Sequence, residues 1–208
     1  MKIFITSGPI PDTLKTTHEH KDSINRRIFI HDGTPEELEV SCLVIPVDKL
    51  CNPTSEIAKA IFKSDPGLQK KFSAKGRLEM TKCHMTSLQS TTEERAYCCE
   101  RIIVSAPPAN PELGLELILG CIQNSMTLAQ KKKKKAIAFT KLSTLYGVEE
   151  YVNVTCEAVR KWMEEEEEWF DIVIFCREEE ETEEYDKALH KFFPIKNYLY
   201  SKSDKTYM

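Results

Sequence analysis

The sequence predicts an α/β fold, a three-layer α/β/α sandwich around a mixed, mostly parallel sheet. Continuous apolar runs at residues 42–47 and 172–176 are typical of strands buried on both faces. In the second half of the chain such runs alternate with segments of helical periodicity, which indicates helices packed on both faces of a sheet. We therefore expect one domain over residues 1–193 and a C-terminal tail at 194–208.

Seven segments have the apolar pattern of strands. They lie, in chain order, at residues 2–6, 27–30, 42–47, 77–86, 101–105, 136–139 and 171–176. Residues 9–25 are polar and contain two prolines, so we predict a loop there.

Helical spacing of apolar residues predicts five helices. Ser55 suits the N-cap of the first, which ends before residues 65–67, and a short second helix covers 67–74. Asn110 as cap and Pro111 in the first helical position predict a long third helix, closed by the lysines at 131–135. The last two helices are predicted at 149–168 and 183–193.

Composition restricts the class of protein. The net charge of −4 gives no general attraction to nucleic acid or to an anionic membrane. No apolar run approaches the ~20 residues of a membrane span, and the N-terminus is too short and polar for a signal peptide. We expect an intracellular protein, cytoplasmic or nuclear. The eight cysteines form no Cys-x-x-Cys pair and predict reduced, buried thiols. The groups Cys83-His84 and His18-x-His20 are too sparse for a metal site. We expect neither a metal nor a cofactor.

Three charge runs lie at the ends of predicted helices or beside them. They are the lysines at 131–135, the glutamates at 164–168 and the acidic stretch at 178–184. All three are predicted to be solvated. RNA or an acidic partner at Lys131 to Lys135 stays open, although no interleaved aromatic residues favour a nucleic-acid platform.

The stretch at 136–147 is the candidate binding element. A buried strand is followed by a small polar turn that ends at Gly147, and then by a helix. Ligands of open α/β sheets bind at the carboxyl ends of strands, and a helix N-terminus suits a phosphate. The alternative is an ordinary turn between a strand and a helix.

Four segments together resemble a known family. Residues 33–48, Gly-Thr-Pro-Glu-Glu-Leu-Glu-Val-Ser-Cys-Leu-Val-Ile-Pro-Val-Asp, align without gaps with a pattern that ends in Asn-Ala-Ala-Asn. Residues 101–107 resemble a central strand, 136–147 resemble Ile-Ala-Phe-Pro-x-Ile-Ser-Thr-Gly-x-Tyr-Gly, and 171–175 resemble a last strand. Their order over residues 26–193 resembles the macro domain, an ADP-ribose-binding α/β/α fold.

The resemblance implies where a ligand would bind. Thr34 aligns with the acidic residue that holds the adenine amino group, and Asp32 lies two positions away. Asp48 aligns with the second Asn, near the distal ribose, and Asn52 lies in the loop that follows. The diphosphate-facing loop aligns with Ser143, Thr144, Leu145, Tyr146 and Gly147.

Other positions depart from the family pattern. The first Asn aligns with Ile45, and residues 50–56 replace the Gly-rich loop with a segment that contains Pro53 and Glu56. The glycine expected between Thr144 and Leu145 has no counterpart. The acidic residue of hydrolytic members aligns with Ala58, which leaves Asp48 as a weak catalytic candidate.

Three functions follow from these matches and departures. We predict a non-catalytic binding or protein-interaction module in which ADP-ribose or nucleotide binding is weakened or lost. The alternative is a module that still binds ADP-ribose or an ADP-ribosylated protein through residues 143–147. An enzyme that removes ADP-ribose from proteins would need a positioned catalytic group, for which Asp48 is the weak candidate.

Overall fold

A seven-stranded sheet runs through the computed structural model, which describes residues 3–4, 17–32, 35, 38–88, 99–166 and 169–194. The spatial order is β1-β2-β7-β6-β3-β5-β4. The inner pairs are parallel, and the edge pairs β1–β2 and β4–β5 are antiparallel. The strands are β1 Ile3–Phe4, β2 Ile28–Asp32, β3 Cys42–Pro46, β4 Cys83–Ser87, β5 Arg101–Ser105, β6 Ala136–Phe139 and β7 Ile172–Arg177.

Helices cover both faces of this sheet, which confirms the predicted three-layer architecture. The side chains of α1, α4, α5 and α6 pack in one apolar cluster, and those of α2 and α3 pack in a second cluster on the other face. The helices are α1 Asp22–Asn25, α2 Glu56–Ser64, α3 Gly67–Ser73, α4 Glu116–Lys131, α5 Val148–Glu165 and α6 Thr182–Phe192. Every residue of β3 is buried between the two layers.

Three predicted elements differ from the structure. Asn110 caps a single 3-10 turn, Pro111–Leu113. Gly114 then takes a φ of 84°, which is not helical, so the long helix begins only at Glu116. The strand predicted at 77–86 begins only at Cys83, after Thr81 adopts a left-handed φ of 66°. The segment predicted as a loop at 9–25 contains α1 at its end.

The boundaries of other predictions lie partly outside the described residues. These are the first strand beyond residues 3–4, the part of the predicted loop at 9–16, the end of the helix predicted to reach 168, and the tail from 195 onward.

The described cysteines are free and mostly buried, which confirms the prediction of reduced, buried thiols for them. Burial raises the pKa of Cys121 to about 11, so this thiol is protonated at neutral pH. Within the described ranges, no group of three or more His, Cys, Asp or Glu side chains could hold a metal ion. None of the helices described combines the length and apolar character of a membrane span.

A buried arginine joins three segments that are far apart in the sequence. Arg160 on α5 is 1% exposed, and its Nη1 donates to Asn25 Oδ1 at 3.0 Å and to the Phe192 carbonyl at 2.9 Å. Its Nη2 donates to the Glu19 carbonyl at 3.2 Å, and its Nε pairs with Glu164 at 2.8 Å. This one guanidinium therefore links the segment before β2 to α5 and to the end of α6.

Replacing Arg160 tests this link. Arg160→Met keeps much of the side-chain volume but leaves the buried carbonyl groups without donors, so we expect a loss of about 2–4 kcal/mol of unfolding free energy. Urea unfolding followed by circular dichroism measures the loss.

The control is the adjacent Lys161→Met, because the Lys161 side chain is 49% exposed and pairs only at the surface with Glu157. It should change stability by less than about 0.5 kcal/mol. Equal effects of the two variants would contradict the structural role of Arg160.

Candidate functional site

The candidate site lies at the carboxyl ends of β6, β3 and β5, three neighbouring parallel strands. The chain leaves β3 toward β5 on one side and later crosses back over β3 to reach β6 on the other. Such a reversal marks the crevice where open α/β sheets bind ligands. The loops after these three strands, at residues 47–55, 106–115 and 140–147, build this edge.

The first of these loops closes on itself around Asp48. Asp48 Oδ1 accepts from the backbone N–H groups of Leu50 and Asn52, each at 2.8 Å, and Oδ2 accepts from Asn52 Nδ2 at 2.8 Å. Cys51 takes a left-handed φ of 63° so that the loop can turn back, and Pro53 forms a bridge with Val47. This tight turn replaces the Gly-rich loop of the family pattern.

These hydrogen bonds set the chemistry of Asp48. Partial burial raises the pKa of its carboxyl, but the hydrogen bonds from Asn52 and Leu50 outweigh burial and leave the pKa below its ordinary value. A carboxylate with a low pKa and occupied acceptor positions is a poor general base. Asp48 and Asn52 thus bond each other within the loop.

The loop after β6 also uses its polar groups internally. Thr140 donates both its N–H and its hydroxyl to the Val44 carbonyl, at 3.1 and 3.0 Å. The Leu142 N–H donates to Tyr151 Oη at 2.8 Å, and the Leu145 N–H donates to Ser143 Oγ at 3.3 Å. Ser143 is buried, whereas Thr144, Leu145 and Gly147 are exposed.

The N-terminus of α5 carries its own carboxylates. Gly147 is the N-cap without a side-chain hydrogen bond, and Glu149 and Glu150 lie in the first turn. A β-carbon placed on Gly147 would lie 3.6 Å from Glu150 Oε2, so this carboxylate sits directly beside the cap. Negative side chains stabilise a helix N-terminus and occupy the position that suits a bound anion.

Two hydroxyls near this edge lack hydrogen-bond partners. They are Tyr146 Oη and Ser105 Oγ, the latter at the end of β5. The Tyr146 hydroxyl is buried, although the residue as a whole is partly exposed. Both lie beside Cys121, whose thiol is a weak hydrogen-bonding group. Burial, with a contribution from Cys121, raises the pKa of Tyr146.

Other positions that the family resemblance singles out are paired, buried or not described. Asp32 at the end of β2 is held by the Arg177 guanidinium, with Nη2 donating to Oδ2 at 3.0 Å. Ala58 is fully buried in α2, and its N–H donates to Ser55 Oγ at 3.1 Å, which confirms the predicted N-cap. Ile45 is fully buried too. Thr34 lies outside the described residues.

Glu56 does not enter the cleft. Its side chain is 89% exposed and pairs with Lys59 in the first turn of α2, at 2.7 Å. The repulsion that an inward-pointing Glu56 would exert on a diphosphate is therefore absent.

Sequence reasoning missed an ion pair between Lys141 and Glu181. Glu181 is 3% exposed, so the prediction that the whole acidic stretch at 178–184 is solvated is wrong at this residue. Its other carboxylate oxygen accepts from the Glu178 N–H at 3.3 Å. The pair joins the loop after β6 to the turn before α6. The one sequence signal for it is a lysine two residues after the end of a buried strand.

The lysine run ends α4 at the opposite edge of the sheet. Lys131, Lys132 and Lys133 are exposed, which confirms the prediction of a solvated helix end. Lys134 pairs with Glu100, and Lys135 Nζ lies 4.1 Å from the centre of the Trp169 ring.

Comparison with solved structures identifies the fold. No family model and no curated protein sequence matches this chain. The macro domain of ganglioside induced differentiation associated protein 2 superposes with a TM-score of 0.77 at 17% identity, over 88% of this chain and 95% of that one. A Trypanosoma brucei macrodomain in complex with ADP-ribose superposes with a TM-score of 0.71 at 20% identity, over 87% and 78%. The Oceanobacillus iheyensis macrodomain with ADP gives a TM-score of 0.65 at 18% identity, over 78% and 89%.

The sheet order and the loops at its carboxyl edge define a three-layer α/β/α domain with a crevice at the strand reversal. More specifically, the chain has the macro-domain fold.

Replacing Asp48 tests its role as the organiser of the first loop. Asp48→Ala removes three accepted hydrogen bonds, so we expect a loss of about 1–2 kcal/mol of unfolding free energy at neutral pH. Because folding lowers the pKa of this carboxyl, its stabilisation is present above the unfolded value near 4 and disappears as pH falls through the folded value. Urea unfolding from pH 7 to pH 3 should show the two proteins converging in acid.

The matched control is Glu56→Ala, a carboxylate removed from the solvent-exposed first turn of the next helix. It should alter stability by less than about 0.5 kcal/mol. A difference between wild type and Asp48→Ala that does not shrink in acid would rule out the assigned role of the carboxylate.

Proposed function

We propose that this chain is a non-catalytic binding module on a macro-domain fold, with affinity for ADP-ribose or another nucleotide weakened or lost. The observation that carries the proposal is the position of Glu150, whose carboxylate lies beside Gly147 at the N-terminus of α5. A diphosphate at this helix terminus would lie against a negative charge.

Electrostatics gives the size of this effect. Two like charges about 4 Å apart near a protein surface repel by on the order of 1–4 kcal/mol, depending on solvent screening. Glu149 adds a second exposed carboxylate in the same turn. Lys141, a cation on the neighbouring loop, is paired with Glu181 and offsets little of this charge.

Loss of backbone donors supports the same conclusion. A macro-type diphosphate cradle would depend on free N–H groups and on close approach of the backbone. Here the amides of Leu50 and Asn52 donate to Asp48, and that of Leu145 donates to Ser143. Pro53 has no N–H to offer.

Catalysis is disfavoured by the same residues. The Asp48 carboxylate has a lowered pKa and three donors bound to it, so it is not poised to take a proton from water. The position where hydrolytic relatives would carry an acid is the buried methyl of Ala58.

A second candidate function is a module that still binds ADP-ribose. The unpartnered hydroxyls Tyr146 Oη and Ser105 Oγ favour it, because buried polar groups normally find partners and a ligand is one source of them. The similarity to a Trypanosoma brucei macrodomain in complex with ADP-ribose favours it as well.

Calorimetric titration of ADP-ribose separates the two candidates. For the wild type we expect no measurable heat at micromolar ligand and at most millimolar affinity. Glu150→Gln removes the charge beside the cap and should strengthen any residual binding by about fivefold or more at low salt.

The matched control is Glu165→Gln, which removes an exposed carboxylate from the other end of the same helix. It should leave the titration unchanged. Micromolar binding by the wild type would establish the second candidate instead. Release of ADP-ribose from a modified protein by the wild type, lost in Asp48→Ala, would overturn the non-catalytic assignment.

A further inference from the structure

Residues 17–25 are bonded to the C-terminal end of α6, and we name them the N-terminal strap. The Thr17 N–H and hydroxyl both donate to the Lys191 carbonyl, at 3.2 and 3.3 Å. The Pro194 carbonyl, just after the helix, lies 2.6 Å from His20 Nδ1. The last carbonyl groups of a helix have no partners within it, so the strap supplies donors that this helix end needs.

His20 lies between two oxygen acceptors. Its Nδ1 faces the Pro194 carbonyl oxygen, and its Nε2 faces Asp22 Oδ1 at 2.9 Å. A hydrogen bond from Arg26, with a smaller contribution from His20, holds the pKa of Asp22 below its ordinary value, so this carboxyl is ionised at neutral pH. A carbonyl oxygen and an ionised carboxylate both accept and cannot donate. Both ring nitrogens must therefore donate, and a histidine with two N–H groups is an imidazolium cation.

A neutral ring does not satisfy this arrangement. It carries one N–H, so its other nitrogen would direct a lone pair at an oxygen within hydrogen-bonding distance. The His20 side chain is 18% exposed, which leaves little room for water to separate the two atoms. Loss of the proton therefore replaces one of the two hydrogen bonds with a repulsion and weakens the contact between the strap and α6.

Charges on several elements surround the strap. Four are acidic and four are basic at neutral pH, and a further histidine, His190, lies in the last turn of α6. The charged residues are Glu19, Lys21, Asp22 and Arg26 on the strap and at the end of α1, Glu157, Arg160 and Glu164 on α5, and Lys191 on α6. Because the two signs balance, the direct contact with Asp22 and the negative end of the α6 dipole decide in favour of a cation at His20.

His18, two residues before His20, has contacts that need no charge. Its Nδ1 lies 3.0 Å from the Thr17 hydroxyl, which can donate or accept, so a neutral ring is satisfied there. Burial, followed by the nearby Arg160 guanidinium, lowers the pKa of His18, which leaves this ring neutral at pH 7. The strap thus contains one histidine whose contacts require a proton and one that serves as its control.

We propose that the N-terminal strap is a pH-sensitive clasp on α6, closed when His20 carries a proton on both ring nitrogens and loosened when the ring is neutral. The closed clasp holds this proton more firmly than the open chain does, so a rise in pH favours opening. The clasp does not depend on the proposed function, because it lies at the opposite end of α6 from the pair of Lys141 and Glu181 beside the candidate site.

NMR chemical shifts of the ring nitrogens measure the protonation of each histidine. In the full chain at about pH 7, both nitrogens of His20 should show the values of a protonated ring. His18 should show the two unequal values of a neutral ring. The variants His20→Asn and His18→Asn assign the signals. A His20 ring that is mostly neutral at this pH would overturn the proposal.

Hydrogen exchange followed by mass spectrometry measures the opening of the clasp. After correction for the pH dependence of intrinsic exchange, we expect the opening constant of the strap amides to be at least about fivefold larger at about pH 8.5 than at about pH 5.5. The amides of β3 are the internal reference, and their protection should change far less. His20→Asn should remove this pH dependence, whereas His18→Asn should keep it.

Asp22→Asn tests the pairing itself. The new side-chain amide can donate to a neutral Nε2, so a neutral ring is then satisfied at both nitrogens. We expect the strap of this variant to stay closed at both pH values, with a ratio of opening constants near one. Arg26→Gln, which removes the exposed ion pair on the other side of Asp22, is the matched control and should open with pH as the wild type does.

Two exchange results would also overturn the clasp. One is equal opening of the wild-type strap at the two pH values, which would mean that Asp22 rotates into solvent while the neutral ring keeps its bond to Pro194. The other is a pH dependence that His20→Asn leaves intact, which would assign the effect to another group. Both readouts are ratios between two pH values, so a uniform loss of stability in a variant does not imitate the expected result.

Discussion

The structure depends on the burial of β3 on both faces. All five of its residues, Cys42–Pro46, are buried, and the strand pairs in parallel with β5 on one side and β6 on the other. A strand of this kind needs a helical layer on each face and crossover connections that return the chain to the same edge. The loops after β3, β5 and β6 must therefore meet at the carboxyl edge, whatever residues they contain. The fold fixes where a site can be, and the loops decide what it can bind.

At this edge, polar groups of the loops bond to one another within the protein. Asp48 closes the loop after β3, Ser143 closes the turn after β6, and Lys141 is neutralised by Glu181. Each interaction gives a polar group of a loop a partner within the protein, which orders the loop. The carboxylate of Glu150 also lies beside the N-terminus of α5, where it favours the helix dipole.

The sequence predicts the layers of this fold well and the partners within its site poorly. Strands such as β3 and β7 are predicted from their sequence alone, because a strand buried on both faces needs a nearly continuous run of apolar residues. The predicted start of the long helix is five residues too early, because Asn110 does cap a turn but Gly114 ends that turn before the helix begins. The closed turn at Asp48 has a local origin, since Asp and Asn commonly bond the backbone two to four residues onward. The pair between Lys141 and Glu181 joins residues 40 apart in sequence, and no local pattern encodes it.

The three exposed leucines lie on self-closed turns of this kind. In each of the three turns the leucine N–H is used to close the turn, at Leu50, Leu113 and Leu145. The side chains of these three leucines are exposed. The self-closed turns use these backbone amides internally, and the same turns carry exposed apolar side chains. Substitutions in the loops alone can change what such an edge binds, because the strands that position those loops remain as they are.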